Sequence, residues 1–380
     1  MTTAKRNLLS FFYLNIIFYV STLALCLIVD PFYIFHKPIF KNHRFFANEV
    51  FMNLGQIETF LAKTNDYDSI LIGTSHTENF YANNITQALG SVGTLKLCLS
   101  GGYPIELETI TQKAINTGKV KNVVYGFEIY GFSESKNTPH QQRVFPYNVY
   151  KNKYLSLLNI QIIRNSIKLL IFHLYSGLKL HFSWSSYPDL NKLYCYWHED
   201  YIQKAHKDFI GNENLLNLEK SLPDNKNYSI NFNYEDFSAI NTHLLPILKD
   251  NPNINFHLLI IPYSWAWFDN FEKLNRAFCL QNYLVQQCQS LPNVKIYGFH
   301  NCTFVNNLAN YYNASHYQPD VNRYMLYAIK HDLHRITAEN IEKYEQQMLE
   351  NLRNFKIQKS YPRMDSLEDL IQQNASRSKL

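Results

Sequence analysis

Residues Leu8 to Val29, LLSFFYLNIIFYVSTLALCLIV, run for 22 positions without a charge. As a helix rising roughly 1.5 Å per residue, such a run measures about 33 Å and spans the apolar core of a bilayer. Lys5 and Arg6 precede it and favour an N-inside orientation, a bias that Lys37, Lys41 and Arg44 on the far side weaken. The run is longer than the apolar stretch of a usual cleaved signal peptide, and no A-x-A-like site follows. A buried core helix is the alternative, and length and terminal position favour the anchor. The expectation is a single-pass anchor over residues 1–30, with residues 31–380 forming a soluble domain outside the cytoplasm.

Composition narrows what that domain does. Charged residues make up 18% and aromatics 15%, with 28 Tyr and 26 Phe, which fits a packed protein with aromatic-lined surfaces and excludes a disordered one. The formal charge of +5 comes without a concentrated run of Lys or Arg, so no nucleic-acid surface is expected. The six cysteines (Cys26, Cys98, Cys195, Cys279, Cys288 and Cys302) contain no C-x-x-C pair, which argues against a zinc ribbon or a thioredoxin-type site.

Five apolar runs read as buried strands: Ser69–Ile72, TLKLCL (94–99), VKNVVYGFEI (120–129), INFHLLIIP (254–262) and VKIYGF (294–299). Several are nearly continuous in Val, Ile and Leu, as expected when both faces of a sheet are covered. A helix-like segment, Asn48 to Thr64, leads into the first strand. Amphipathic helical patterns follow, one with Pro104 in its first turn and Gly118 near its end, another opening at Pro319. Strands alternating with helices of this length predict an α/β fold, a doubly wound and mostly parallel sheet over residues 31–336. Residues 131–235 break the alternation. They read as a helical insertion after the third strand, followed by a Trp- and Tyr-rich patch, and serve either as a substrate wall or as a structural subdomain. Residues 337–380 read as a charged helix and a frayed tail.

Ligands of such sheets bind at the carboxyl ends of the strands, and DSILIGTSHTENF (68–80) ends a strand in Thr74, Ser75 and His76. A serine hydroxyl becomes a useful nucleophile when an imidazole accepts its proton and a third group holds that imidazole in one tautomer. YYNASHYQPDVNRYM (311–325) offers His316 just before a helix, with Asn313 three residues earlier.

These blocks resemble the SGNH/GDSL hydrolase superfamily. GTSH matches its serine block through Gly73 and Ser75. LSGGYPIE is similar to its second block, which assigns Gly102 as an oxyanion donor. NASH matches its last block at His316, with Asn313 where the family has aspartate. The resemblance covers residues 66–130 and 254–330 as an order of blocks and implies a three-layer α/β/α fold. The anchor, GTSH and ASHYQP look closest to the membrane-anchored branch that serves alginate and cellulose O-acetylation and lipoteichoic-acid D-alanylation. That likeness implies an acyltransferase or esterase acting on an envelope glycan, at the bacterial inner membrane, with no metal or cofactor. It also implies a partner of the membrane-bound O-acyltransferase family.

Two departures matter. Asn313 brings no negative charge to an imidazolium, and the family's third block is not evident: VVYGFEIYGF stands in that region and offers Glu128. Glu128 is expected to position a sugar hydroxyl, and His76 is expected at the rim of the site. A catalytically degenerate module that binds a glycan or docks a membrane enzyme is therefore the alternative to an enzyme. Trp265 and Trp267, in IPYSWAWF, suit either sugar stacking or core packing. His331, Asp332 and His334 invite a metal reading but read better as solvated positions of one helix.

Overall fold

The computed structural model describes residues 3–30, 35, 67–99, 101–133, 236–268, 270–358 and 365–378, with isolated positions between 157 and 171. The chain divides into two compact units, residues 1–65 with 141–190 and residues 66–140 with 191–380.

In the first unit, α1 spans Thr3–Val29. Its stretch Lys5–Val29 has a mean hydropathy of 2.2 and is the one helix among the described residues long and apolar enough to cross a membrane. Side chains such as Phe11, Leu14, Ile17 and Phe18 are exposed around its circumference. The polar groups within it are satisfied locally: the Asn15 amide donates to the Phe11 carbonyl and the Thr22 hydroxyl to the Phe18 carbonyl. Such self-pairing lowers the cost of carrying polar atoms into lipid.

The second unit is built on a six-stranded mixed sheet: β1 Ser69–Gly73, β2 Thr94–Cys98, β3 Asn122–Phe127, β4 Asn255–Ile260, β5 Val294–Gly298 and β6 Arg335–Ile336, in the order β2-β1-β3-β4-β5-β6. The first five are parallel, and β6 pairs antiparallel with the edge of β5. All five residues of β1 are buried, as its unbroken SILIG requires. The two-residue β6 has no periodicity by which a sequence could announce it.

Helices α2 Ala82–Leu89, α3 Pro104–Ile115, α4 Ile129–Ser133, α5 Leu245–Asp250, α6 Phe271–Cys288, α7 Pro319–His331, α8 Ile341–Asn354 and α9 Leu367–Asn374 surround the sheet. Pro104 opens α3 and the Glu106 carboxylate accepts the Tyr103 N–H at 2.8 Å, a capping arrangement that fixes this start. Helix α7 packs against both α2 and α9, and α6 packs against α8.

Two expectations change here. Helix α7 stops at His331 because Asp332 turns left-handed (φ 50°), and His334 follows with φ 57°. His334 is fully buried, with its Nε2 2.6 Å from the Tyr324 hydroxyl, so the three polar residues do not lie on one solvated helix. The C-terminal segment is docked, not frayed. Ser366 caps α9, the Asn374 amide oxygen accepts the Thr303 N–H at 2.8 Å, and Arg377 donates to Asn301 and Asn351. The helix expected over Asn48–Thr64 and nearly all of the insertion 131–235 lie outside the described residues. The five described cysteines (Cys26, Cys98, Cys279, Cys288 and Cys302) are buried free thiols.

Candidate active site

In a sheet ordered 2-1-3-4-5, the chain moves outward from β1 to β2 and then returns to place β3 on the other side of β1. The crevice beyond the carboxyl ends of β1 and β3 is where such sheets bind ligands. Ser75 follows β1 and Glu128 follows β3, so both flank this crevice.

Ser75 begins a single 3-10 turn, Ser75–Thr77. Its bonds are Thr77 N–H to the Thr74 carbonyl at 3.0 Å and Glu78 N–H to the Ser75 carbonyl at 3.3 Å. The amides of Ser75 and His76 precede the first bonded amide of the turn and are not used by it. Thr77 anchors the turn beneath. Its hydroxyl donates to the Thr74 carbonyl at 2.8 Å, and its methyl fills a socket left by two glycines. A Cβ on Gly73 would lie 2.5 Å from Thr77 Cγ2, and one on Gly126 of β3 would collide with the same methyl. Glycine at both positions lets the turn sit directly on the strand ends.

His316 arrives from the loop between β5 and α7. Its Nε2 lies 2.9 Å from Ser75 Oγ. Asn313 Oδ1 is 3.1 Å from His316 Nδ1 and also accepts the backbone N–H groups of Ser315 and His316, at 3.0 and 2.9 Å. Two backbone donors identify that atom as the amide oxygen, so the Nδ1 it meets must carry hydrogen. Nε2 is then left with a lone pair aimed at the serine hydroxyl. Asn313 thus both orients the imidazole and closes a local turn. The loop is tied down by Ser264, whose N–H and hydroxyl donate to the Ala314 carbonyl at 3.0 and 2.7 Å, and by the Tyr311 hydroxyl on the Pro262 carbonyl at 2.9 Å. Burial, with neighbouring His76 as a second cause, lowers the His316 pKa to about 3, so the resting ring is neutral. Ser75 and His316 remain partly exposed.

The other expected site residues take different places. Gly102 does not stand as an oxyanion donor, because its N–H is spent on the Leu99 carbonyl at 2.7 Å in a tight turn. Glu128 does not reach out for a sugar. It is 8% exposed, and its Oε1 accepts both the Thr74 hydroxyl and His76 Nδ1, the latter at 2.9 Å. His76 is partly exposed like Ser75, with 10% of its side chain open, and its ring stacks on His316, with centroids 4.1 Å apart. Trp265 is fully buried, whereas Trp267 is partly exposed, stacked on Tyr263 at 4.5 Å and set edge-on to the exposed Tyr130 at 6.0 Å.

Thr74, Ser264, Tyr263 and Tyr317 shape the site without having been singled out for it. Tyr263 meets the His76 ring edge-on at 5.3 Å, and the Tyr317 hydroxyl donates to the His76 carbonyl at 3.1 Å. Thr74 was legible as the neighbour of Ser75, but the other three depend on strand order. Among the described residues, no group of three or more His, Cys, Asp or Glu side chains could hold a metal ion.

No family model, curated protein or solved structure matches this chain. The chemical reading therefore rests on the geometry. A hydroxyl facing the lone pair of a neutral, tautomer-fixed imidazole, at the open end of a parallel sheet, is equipped for nucleophilic acyl chemistry.

Proposed function

We propose that this chain is a membrane-anchored acyltransferase or esterase of the SGNH/GDSL type, acting through Ser75 and His316 on an acylated cell-envelope glycan. The observation that carries the reading is the 2.9 Å approach of Ser75 Oγ to His316 Nε2, with Asn313 holding the opposite nitrogen. Ser75 Oγ attacks the acyl carbonyl as its proton passes to Nε2. The tetrahedral oxyanion is met by the turn's unused amides at Ser75 and His76. Collapse expels the donor alcohol, which takes the proton from Nε2 and leaves an ester on Ser75. A sugar hydroxyl or water then attacks that ester while giving its proton to Nε2, and collapse returns the proton to Ser75 Oγ.

The glycan substrate, a partner of the membrane-bound O-acyltransferase family and a place at the bacterial inner membrane are supported by two features. One is the likeness of GTSH and ASHYQP to the membrane-anchored branch. The other is the apolar α1, for which Lys5 and Arg6 favour an extracytoplasmic domain. A second reading, a binding subunit without catalysis, is favoured by two features, the uncharged Asn313 and the lack of an evident third block where VVYGFEIYGF stands.

Full-length protein in detergent, treated with a serine-directed fluorophosphonate, tests the enzyme reading. Labelling is expected to vanish in Ser75→Ala and to fall by orders of magnitude in His316→Ala. Equal labelling of wild type and Ser75→Ala rejects it. Loss of glycan binding in Trp267→Ala, with neither site variant changing function, supports the binding subunit.

A further inference from the structure

The loop that carries His316 is pinched shut at its base. The Gln318 N–H donates to the Asn310 carbonyl at 2.8 Å, Tyr311 bridges Tyr317 antiparallel, and the Tyr312 N–H donates to the His316 carbonyl at 2.8 Å. Asn310 and Gln318 are buried, and their side chains also meet, Gln318 Nε2 donating to Asn310 Oδ1 at 3.2 Å.

A residue from the C-terminal segment completes this base. Asp365 lies 55 positions beyond Asn310 and 47 beyond Gln318. Its Oδ2 accepts the Asn310 amide at 2.7 Å and the Asn307 amide at 3.2 Å. Its N–H donates to Asn310 Oδ1 at 2.8 Å, and its carbonyl accepts Gln318 Nε2 at 2.6 Å. The Asn310 amide has one further partner, the Phe304 carbonyl at 3.3 Å. Main chain and side chain of Asp365 thus satisfy polar groups that burial has cut off from water. Asp365 is itself anchored, because Ser366 caps α9 directly after it and α9 packs against α7, the helix that Gln318 opens.

We propose that Asp365 is a positioning residue for His316, a role that rests on the Ser75–His316 reading. It locks the base of the loop from the C-terminal side, so that His316 Nε2 stays within proton-transfer reach of Ser75 Oγ.

The other two ties, Ser264 to Ala314 and Tyr311 to Pro262, both reach the loop from the chain that follows β4. Neither involves the side chains of Asn310 or Gln318. Without the Asp365 side chain, the Asn310 amide keeps only its longer bond to Phe304, in a place where a lost partner is costly. Turning Asn310 towards water relieves that cost, and Tyr311 follows it directly in the chain, so the base shifts with it. A misplacement of about 1 Å far from the reacting atoms is enough to cost about 100-fold in rate. Asp365 touches no reacting atom, so its loss falls on kcat and leaves KM alone.

The test uses full-length protein in detergent and p-nitrophenyl acetate, at a temperature where each variant is fully folded. Asp365→Ala is expected to lower kcat tenfold or more with KM unchanged, and Asp365→Asn, which keeps an acceptor oxygen, is expected to stay within about twofold of wild type. Gln318→Met cuts the bond to the Asp365 carbonyl from the other side and is expected to match Asp365→Ala. The double variant is expected to lose no more than the worse single one, since both act through one base. Hydrogen exchange at the Tyr312 and Gln318 amides is expected to quicken in Asp365→Ala. Arg377→Ala is the control: it loosens the same segment at Asn301 and Asn351, away from the loop, and is expected to keep wild-type kcat. Wild-type kcat in Asp365→Ala overturns the proposal, as does an equal loss in Arg377→Ala. If Asp365→Ala fails to fold, wild-type kcat in Gln318→Met overturns it. Absence of Ser75-dependent turnover in the wild type would instead overturn the serine reading.

Discussion

Ser75 Oγ and His316 Nε2 lie 2.9 Å apart although 241 residues separate them in the chain. The contact is held from both sides. A 3-10 turn seated on two glycines presents the serine, and the Asn313 oxygen with the Ser264–Ala314 tie presents the histidine.

Asn313→Asp retains an oxygen for all four donors now bound to Asn313 Oδ1, the Ser315 N–H and hydroxyl and the His316 N–H and Nδ1, and adds a negative charge beside His316 Nδ1. It is expected to raise the His316 pKa from its depressed value and to speed serine labelling about tenfold or more at pH 7. The labelling rate, read alongside the imidazole titration, checks both effects.

Gly126→Ala drives a methyl into Thr77 Cγ2 and towards Ile261 Cδ1, 3.3 Å away. The expected cost is about 1–3 kcal/mol, with slower serine labelling because the turn beneath Ser75 is displaced. Thr77→Ser removes the offending methyl but keeps the hydroxyl that binds the Thr74 carbonyl, so the double variant should recover part of the loss. Urea unfolding of the two single variants and the double variant measures it.

The sheet was legible wherever burial on both faces wrote a continuous apolar run, as in β1 and β4. It was not legible in β6, whose two residues carry no pattern, nor in α9, whose polar composition hides its docking through Asn374 and Arg377. At the site, Ser75, His316 and Asn313 stand in short local motifs and could be named. The partnership of Glu128 with Thr74 and His76 follows from β3 lying beside β1, a long-range fact with no local signature. Gly102 was misread for a different reason: the turn that positions it also consumes its N–H.

Acid should destabilise the fold well above ordinary carboxylate values. Burial lowers the pKa of His257 to about 4, His300 to about 3 and His334 to about 4, against 6.5 for an unperturbed imidazole. Each folded value lies below the unfolded one, so each contribution is complete above pH 6.5 and is lost as pH falls towards the folded value. Within that window each histidine contributes a slope of about 1.4 kcal/mol per pH unit. Urea midpoints should be flat above pH 7 and fall between pH 6.5 and 4. His300, whose ring nitrogens have no partners, is the clearest probe, and His300→Leu should flatten the slope.

Helix α1 should fix the chain in a membrane. After an alkaline carbonate wash, the full-length protein is expected in the pellet, and a variant lacking residues 1–30 in the supernatant. Release of the full-length protein by carbonate would show that α1 does not span.

Trapping the acyl group on its side chain tests the central claim most directly. Full-length protein is mixed with p-nitrophenyl acetate, quenched in acid within the burst, digested and mapped by mass spectrometry. The account predicts one acetyl group per chain, on the peptide bearing Ser75, and its loss in both Ser75→Ala and His316→Ala. Wild-type protein that gives no adduct, or one on another residue that both variants retain, would contradict it.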